Sequence, residues 1–367
     1  MDKLLGKVLN QAPSSFIYKM LRKKNIKLNE KRAEGKEILA AGDRVQIYLS
    51  DETYDKFHTE KNLQISKGQD QESKGLESTR KGSGQVSKSP GQNQKRKEQK
   101  NGAFPVELLS REIIYEDEDI MIINKPAGVL SQKAKPEDDS INEQMLRYLL
   151  EQGKLTNEQM VTFTPSVCNR LDRNTSGLVL AGISLQGSQE LSRMLRDRSL
   201  EKYYLTLVYG EIQDAMEITA YLKKDENTNR VSVWDQPMPG AQQIQTQYVP
   251  LMRNKDYTLL EVKLITGKTH QIRAHLAHLG HPVLGDAKYG KKEVNQKFRQ
   301  QFGIHNQFLH AYRVRFPKLD GPLTRLSETE YKAPLPGKCN EAIRQLWEVD
   351  LNEEEKNLKQ KENTTAV

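Results

Sequence analysis

Residues 169–178 read Asn169-Arg170-Leu171-Asp172-Arg173-Asn174-Thr175-Ser176-Gly177-Leu178. The apolar run from 178 to 181 predicts a buried strand that begins at the end of this stretch. On its own, Asp172 between two arginines is typical of a turn, where surface ion pairs each contribute under about 1 kcal/mol to stability. The stretch becomes informative only together with other segments that are rich in residues suited to a site.

Two later segments have the same character. They are Lys202-Tyr203-Tyr204 and Thr266-Gly267-Lys268-Thr269-His270-Gln271-Ile272-Arg273. Taken singly, a strand tyrosine such as Tyr204 usually packs in a core, and a helical arginine such as Arg273 usually faces solvent. The residues from 267 to 269 resemble part of a phosphate-binding loop, but that motif requires a glycine five residues before Gly267, where Val262 stands. A phosphate-binding loop is therefore excluded.

Other kinds of catalytic centre are also disfavoured. Histidines at 270, 275, 278 and 281 match no standard zinc spacing, and no carboxylate or cysteine ligand is suitably interleaved, so we expect no metal site. The residues around Ser176 lack the Gly-x-Ser-x-Gly turn of a serine hydrolase. A methyltransferase is disfavoured because no glycine-rich nucleotide-binding loop follows the first strand.

Strand and helix signals between residues 105 and 348 predict one folded domain. Apolar, β-branched and aromatic runs predict strands at 120–124, 178–181, 203–209, 257–264 and 308–314. Helices are predicted at 141–152, 186–197 and 270–279, the last ended by Gly280. Since the strands neither alternate strictly with helices nor form a series of hairpins, we expect an α+β fold with a mixed, mainly antiparallel central sheet flanked by helices and loops.

Three other regions flank this domain. Residues 1–50 predict a small α+β module, in which Ser14 or Ser15 caps a helix and short alternating strands follow. Residues 51–104 are dominated by Lys, Gln, Ser, Gly and Glu, which predicts a flexible linker because such a composition cannot build a core. The charged segment 349–367 is predicted to be a frayed tail.

The bulk composition limits the classes of function. The chain has 57 Lys and Arg against 49 Asp and Glu, a net charge of +8 that favours a polyanionic partner. Cys168 and Cys339 are its two cysteines, which suits a reducing compartment and provides no disulfide framework. No apolar run approaches the roughly 20 residues of a membrane span, and the N-terminus has no signal-like apolar segment. We expect a cytoplasmic protein with no membrane partner.

Four blocks, in order, resemble the RluA-type pseudouridine synthases. They are Asn124-Lys125-Pro126-Ala127-Gly128, the stretch 169–178, Lys202-Tyr203-Tyr204 with Val208-Tyr209-Gly210, and residues 266–290 with Gly280-His281-Pro282-Val283-Leu284-Gly285-Asp286. Residues 14–23 and 42–45 resemble an S4 RNA-binding domain. An S4 domain ahead of this catalytic domain, with Cys168-Asn169 before Arg170, is most similar to the RluC-like synthases of large-subunit ribosomal RNA.

The resemblance implies an isomerase that converts uridine in RNA to pseudouridine without a cofactor. Asp172 corresponds to the essential carboxylate, acting as a nucleophile or as a base. Arg273 corresponds to the cation that keeps this carboxylate ionised in a desolvated pocket. Tyr204 corresponds to the tyrosine that stacks on the flipped base, with a hydroxyl suited to helping remove the C5 proton. By the same resemblance, Arg170 fills the space that the base vacates and Ile272 lines the pocket.

Outside these residues the resemblance leaves alternatives open. Lys19, Arg22 and Lys23 correspond to RNA-contacting positions of the S4 module, although a solvated charge run is the plain alternative. Lys268 replaces an arginine common in the family, so we expect altered phosphate contact there without loss of activity. The implied enzyme is a monomer that modifies ribosomal RNA. Transfer RNA is an alternative substrate, and a noncatalytic RNA-binding or ribosome-assembly factor is a third possibility.

Overall fold

The computed structural model describes residues 1–40, 42–57, 106–225 and 227–353. The chain divides into two compact units, residues 1–102 and 103–367, which we call the N-terminal and C-terminal units. Each unit has its own hydrophobic core. Within the described ranges, no helix is long and apolar enough to cross a membrane.

The N-terminal unit combines short helices with a small sheet. Its elements are α1 (Asp2–Val8), α2 (Ser14–Arg22), β1 (Ile26–Leu28), β2 (Lys31–Arg32), β3 (Val45–Ile47) and α3 (Asp51–Phe57). The strands are antiparallel, in the order β2-β1-β3. Ile17, Met20 and Leu21 recur at helical spacing on α2 and share a buried cluster with Ile26, so one apolar stripe holds this helix in the core.

Two local predictions for this unit differ from the structure. Helix α2 begins at Ser14, with Pro13 as its N-cap and no capping side chain. The predicted cap by Ser14 or Ser15 is wrong because both residues already lie in the first helical turn. Helix α3 occupies the first residues of the segment 51–104 that was predicted as a linker, and residues 58–104 lie outside the described ranges.

The C-terminal unit is built around one large sheet. Its helices are α4 (Val106–Glu112), α5 (Ile141–Glu151), α6 (Asn157–Thr162), α7 (Leu185–Asp197), α8 (Gln271–His278), α9 (Lys292–Phe302) and α10 (Gly337–Trp347). Its strands are β4 (Ile113–Glu116), β5 (Ile120–Lys125), β6 (Ser166–Val167), β7 (Ser176–Gly182), β8 (Glu201–Tyr209), β9 (Met216–Asp225), β10 (Arg230–Trp234), β11 (Gln242–Arg253), β12 (Tyr257–Leu264), β13 (Leu309–Arg315) and β14 (Glu330–Lys332).

The strands of this sheet are almost all antiparallel. Nine follow the order β10-β9-β11-β12-β8-β13-β7-β5-β4, with β14 beside β13 and β6 beside β7. Among the described strands, β7 and β13 form the one parallel pair, in which Ala311 lies opposite Gly177. The predicted α+β class with a mixed, mainly antiparallel sheet is confirmed.

The two faces of strand β8 bury different clusters. Tyr204 and Val208 share a core with Ile272 of α8, whereas Leu205 shares another core with Phe298 of α9. Successive side chains of a strand point to opposite faces, so β8 contributes to both cores. Helix α8 is thereby held against the face that carries Tyr204.

The first residues beyond α10 contact the rest of the unit. The side chain of Asn340 donates to Asp350 at 2.6 Å, and Asn352 exchanges two hydrogen bonds with the backbone of Leu335, at 2.9 and 3.1 Å. The beginning of the predicted tail 349–367 is therefore tied down, and residues 354–367 lie outside the described ranges.

Candidate active site

The loop that carries Asp172 is pinned on both sides of this residue. The hydroxyl of Ser131 accepts a hydrogen bond from the amide of Leu171 at 2.9 Å and donates to the carbonyl of the same residue at 3.0 Å. After the turn, the amide of Thr175 donates to the carbonyl of Asp172 at 3.0 Å, and its hydroxyl accepts from Gln307 at 3.2 Å. The backbone that presents the Asp172 carboxylate therefore has little freedom to shift.

Lys125, the last residue of β5, anchors the same loop from inside. Its side chain is fully buried, and Nζ donates to the carbonyl oxygens of Pro126, Val129 and Arg173 at 3.0, 2.8 and 3.1 Å. Three acceptors match the three N–H groups of an ammonium. Burial lowers the pKa of Lys125 to about 7, an effect that the negative charge of Asp172 opposes. Lys125, in the block 124–128, thus contacts the loop of the block 169–178.

Gly177 allows the loop to enter the sheet at the parallel contact. Its φ is +108°, and a Cβ placed there would lie 2.2 Å from the carbonyl oxygen of Ala311. Glycine alone adopts this backbone without strain and leaves room for the neighbouring strand. The Asp172 loop is therefore fixed at the place where β7 and β13 meet.

Arg273 of α8 lies between two carboxylates. Its Nη1 donates to Asp172 Oδ2 at 2.6 Å, while Nε and Nη2 donate to the two oxygens of Asp286 at 2.7 and 2.9 Å. Arg273 and Asp286 are buried. Burial by itself would lower the pKa of Arg273, but the two carboxylates raise it above its ordinary value. Burial by itself would raise the pKa of Asp286, but Arg273 lowers it below its ordinary value. Both groups therefore stay ionised at neutral pH.

Tyr289 supports the same arginine from the side. The carbon of the Arg273 guanidinium lies 5.4 Å from the centre of the Tyr289 ring. The Tyr289 hydroxyl accepts from the amide of Val231 at 3.0 Å and lies 2.9 Å from Nδ1 of His270. Since burial lowers the pKa of His270, a neutral imidazole can accept from this hydroxyl.

Tyr204 and Ile272 form an apolar wall. Both side chains are buried, and they belong to one cluster although they come from β8 and α8. Burial raises the pKa of Tyr204, and the charge of Asp172 raises it further, so the phenol stays protonated at neutral pH. The ring can therefore serve as a stacking surface, and its hydroxyl can take up a proton only by releasing its own.

These groups line one cavity of about 920 Å³. Among the described residues, nine lining side chains are Lys or Arg and one is a carboxylate, that of Asp172. The nine cationic residues are Arg170, Arg173, Arg196, Arg198, Lys202, Lys224, Lys268, Arg273 and Lys288. Such an excess of positive charge favours a polyanionic ligand, and the single carboxylate is the candidate reactive group.

The structure brings together the site residues predicted for the C-terminal unit. Asp172, Tyr204, Arg273, Arg170 and Ile272 all line the cavity. Asp172 and Arg273 are paired although 101 residues separate them in sequence. The roles of these residues remain predictions, whereas their proximity is a feature of the fold.

The predicted RNA-contacting residues of the N-terminal unit lie elsewhere. Lys19 and Arg22 of α2, and Lys23 directly after it, are exposed, opposite the stripe that packs into the core of that unit. Their exposure fits both RNA contact and simple solvation, so both interpretations stay open.

The histidines between 270 and 281 make separate contacts. Nδ1 of His275 lies 2.8 Å from the hydroxyl of Tyr248, and Nε2 of His278 lies 2.9 Å from a carboxylate oxygen of Asp235. In the part of the chain that the structure describes, no group of three or more possible metal ligands is arranged to hold an ion.

Sequence reasoning gave no individual role to Asp286, Lys125 or Tyr289. All three lie within the recognised blocks, and Lys125 and Asp286 each carried a signal. Lys125 follows the apolar run 120–123 after Asn124, and Asp286 follows the largely apolar segment 282–285. Both charged residues therefore lie where the sequence predicts burial. A charged side chain is almost never buried without a partner, which was a reason to search for one.

Comparisons with known proteins reveal similarity to RNA pseudouridine synthases. A family model described as RNA pseudouridylate synthase matches residues 119–278. An uncharacterized RNA pseudouridine synthase of Mycoplasma genitalium is 34% identical, with 61% of this chain and 70% of that protein aligned. Ribosomal large subunit pseudouridine synthase C of Vibrio vulnificus is 27% identical, with 94% and 92% aligned. tRNA pseudouridine synthase C of Vibrio parahaemolyticus is 30% identical, with 58% and 85% aligned.

The fold and the cavity, together with these similarities, define an enzyme that modifies RNA. The chain belongs to the RluA-type RNA pseudouridine synthase family. Its activity is accordingly the isomerisation of uridine to pseudouridine, and RNA is its substrate. The matched family region contains Asp172, Tyr204 and Arg273, the three residues that the sequence blocks had singled out.

Proposed function

We propose that this enzyme isomerises specific uridines of large-subunit ribosomal RNA and that Asp172 is its essential carboxylate. The observation that carries the proposal is the 2.6 Å contact between Asp172 Oδ2 and Arg273 Nη1 in a cavity whose other charged lining groups are cationic. A uridine within an RNA chain is the kind of ligand that this charge pattern attracts.

The reaction breaks the bond between N1 of uracil and C1′ of the ribose, turns the base, and joins C5 to C1′. The proton on C5 leaves and N1 gains a proton, so no net oxidation or reduction occurs. Asp172 either attacks C1′ as a nucleophile or removes a ribose proton as a base. Arg273 Nη1 donates to Asp172 Oδ2 at 2.6 Å, so it orients the carboxylate and supplies a counter-charge to it.

Tyr204 and Ile272 then hold the base while it is free of the sugar. The buried ring of Tyr204 offers a face for stacking, and Ile272 closes the apolar side of the cavity. The Tyr204 hydroxyl is protonated at neutral pH, so we assign it to a relay that passes the C5 proton onward. Keeping the loose base stacked prevents its escape into water.

Access requires the uridine to leave its stack, which costs a few kcal/mol. Arg170 is exposed at the rim of the cavity and is two residues from Asp172. We assign Arg170 to the space that the flipped base vacates, since its planar guanidinium can stack between neighbouring bases.

The domain organisation supports a ribosomal RNA substrate. We propose an S4-like RNA-binding module at residues 1–50, a linker at 51–104, a catalytic domain at 105–348 and a tail at 349–367. The similarity to the large-subunit enzyme of Vibrio vulnificus covers 94% of this chain, whereas that to the transfer RNA enzyme covers 58%. We further propose that the enzyme is a monomer and acts in the cytoplasm.

The test is to map pseudouridine in ribosomal and transfer RNA from cells with and without the gene. Loss of defined sites in large-subunit RNA, restored by the wild type and not by Asp172→Ala, is the expected result. Loss of pseudouridine only from transfer RNA would contradict the proposal that ribosomal RNA is the substrate. Full restoration by Asp172→Ala would overturn the catalytic assignment.

A further inference from the structure

Lys202 is a lysine on the cavity wall that has no partner among the described residues. It is the second residue of β8, is partly buried, and lines the cavity beside Tyr204. Among the described residues, none forms a hydrogen bond or an ion pair with its Nζ. Arg198, at the turn between α7 and β8, is the cation whose charge acts on it most directly.

Other lysines removed from water in this unit have acceptors. Nζ of Lys125 meets three carbonyl oxygens, and Nζ of Lys263 is paired with the carboxylate of Glu201. A desolvated ammonium without an acceptor is costly, and a second cation nearby adds to that cost. Accordingly, burial lowers the pKa of Lys202, and Arg198 lowers it further. An anion near Lys202 Nζ would offset this cost.

The position of Lys202 relative to Tyr204 limits what that anion can be. The two residues are separated by one position on a strand, so their side chains lie on the same face, with Cα atoms about 7 Å apart at roughly 3.4 Å per residue. A base stacked on Tyr204 therefore has its own backbone within reach of Lys202. The nearest anions to that base are the phosphates on either side of its ribose.

Arg198 provides a second hydrogen-bond donor next to Lys202. It follows α7 directly and has a left-handed backbone, with φ of 66°. Its side chain is exposed yet lines the same cavity. An exposed, planar guanidinium next to a half-buried ammonium can bind one phosphate from two directions.

We propose that Lys202 and Arg198 form a subsite for a backbone phosphate directly next to the target uridine. The inference rests on the proposed function, because it takes the base stacked on Tyr204 to be that uridine. The subsite sets the depth to which the nucleotide enters the cavity, and its occupant supplies the counter-charge that Lys202 lacks in the free protein.

The first experiment measures steady-state kinetics and binding with a synthetic RNA that spans a uridine shown by mapping to be modified. We expect Lys202→Gln to raise KM about tenfold with little change in kcat, since one charge-assisted hydrogen bond is lost. The slope of log affinity against log salt should fall by roughly 0.7, the value for one contact to single-stranded RNA. Lys202→Arg should restore most of the affinity.

The matched control is Lys297→Gln, which removes one positive charge from an exposed position of α9 outside the cavity. This variant should keep the wild-type KM and salt slope. If Lys202→Gln behaves like the control, or lowers kcat alone, the subsite is wrong. A Lys202→Gln protein that is misfolded by circular dichroism is replaced by Arg198→Gln, for which the same KM increase is expected.

The second experiment replaces single phosphates of the RNA by neutral methylphosphonates, one position at a time around the uridine. At the phosphate that occupies the subsite, the methylphosphonate should lower the affinity of wild type for RNA. The same substitution should lower the affinity of Lys202→Gln only slightly further, because this variant has already lost the contact. The effects of the mutation and of the methylphosphonate should therefore be strongly non-additive. Additive losses at both flanking phosphates would overturn the subsite. An RNA that wild type does not isomerise would instead count against the proposed function.

Discussion

The cavity of the C-terminal unit and helix α2 of the N-terminal unit are both rich in cations, but they use them differently. In the cavity, Arg273 is buried and directed by two carboxylates. On α2, Lys19 and Arg22 are exposed, and within the described residues no hydrogen bond or ion pair holds their side chains in place. Arg273 is therefore held in one orientation towards Asp172, whereas the exposed cations of α2 can act on RNA only through their charge. Mutations at Arg273 and its carboxylate partners should therefore affect catalysis, whereas mutations on α2 should affect salt-dependent binding.

The largest effect is expected from removing the charge of Asp172, the proposed reactive group. Asp172→Asn should lower kcat by roughly 10⁴-fold or more, because the amide can act neither as a nucleophile nor as a base. RNA affinity should stay within a few-fold of wild type. Single-turnover assays of pseudouridine formation measure the rate. Asp256→Asn, at an exposed carboxylate, is the control and should be as active as wild type.

A smaller effect is expected from Asp286, which acts through Arg273. Asp286→Asn removes one of the two carboxylates that fix the guanidinium, so Arg273 can turn away from Asp172. We expect kcat to fall about 100-fold with little change in KM, since misplacement of a catalytic group has costs of this order. Equal loss in Asp235→Asn, an exposed carboxylate paired with His278, would show that the effect is not specific.

In the N-terminal unit the expected effect concerns binding. The triple change Lys19→Gln, Arg22→Gln and Lys23→Gln should weaken RNA affinity at low salt about tenfold or more and flatten its salt dependence, with kcat unchanged. Filter binding over a range of salt concentrations measures both quantities. Lys292→Gln with Lys297→Gln and Arg299→Gln removes the same charge from α9. If both triple variants behave alike, the charges of α2 act only through the net charge of the protein.

The smallest effect is on stability and concerns Lys125. Its pKa is lowered to about 7 in the folded protein, so the unfolded chain binds more protons between pH 7 and its ordinary pKa near 10.5. Folding stability should therefore rise with pH in this window, by at most about 1.4 kcal/mol per pH unit from this group. Chemical unfolding at pH 7.5 and 9 measures the change. A Lys125→Met protein with the same rise would show that other groups cause it.

The sequence predicted the central fold well where apolar runs were strong. Strands β5, β8 and β12 were found within a few residues of their bounds, because each contains a run rich in apolar, β-branched or aromatic residues. Strands β9 and β11 were not predicted, since their pairing is carried by many polar and charged residues. Each of these strands is stabilised by a neighbouring strand on either side, which the local sequence does not reveal.

The sequence predicted the residues that line the site but not the residues that hold them in place. The blocks singled out Asp172, Tyr204 and Arg273, which the fold brings to one cavity. The tasks of Asp286 and Lys125 depend on contacts to Arg273 and to the loop carbonyls, and these exist only after folding. Spacing along the chain contains no information about such contacts.

The sharing of Arg273 between Asp172 and Asp286 has a consequence for the charge balance of the reaction cycle. Before reaction, the three groups carry one net negative charge. If Asp172 is the essential carboxylate, as proposed, its charge disappears when it forms an ester with the sugar or takes up a proton. Arg273 is then still neutralised by Asp286, so the cavity never contains a bare buried guanidinium while the base is detached. The pair of Arg273 and Asp286 can therefore serve both routes, nucleophilic attack and proton removal by Asp172.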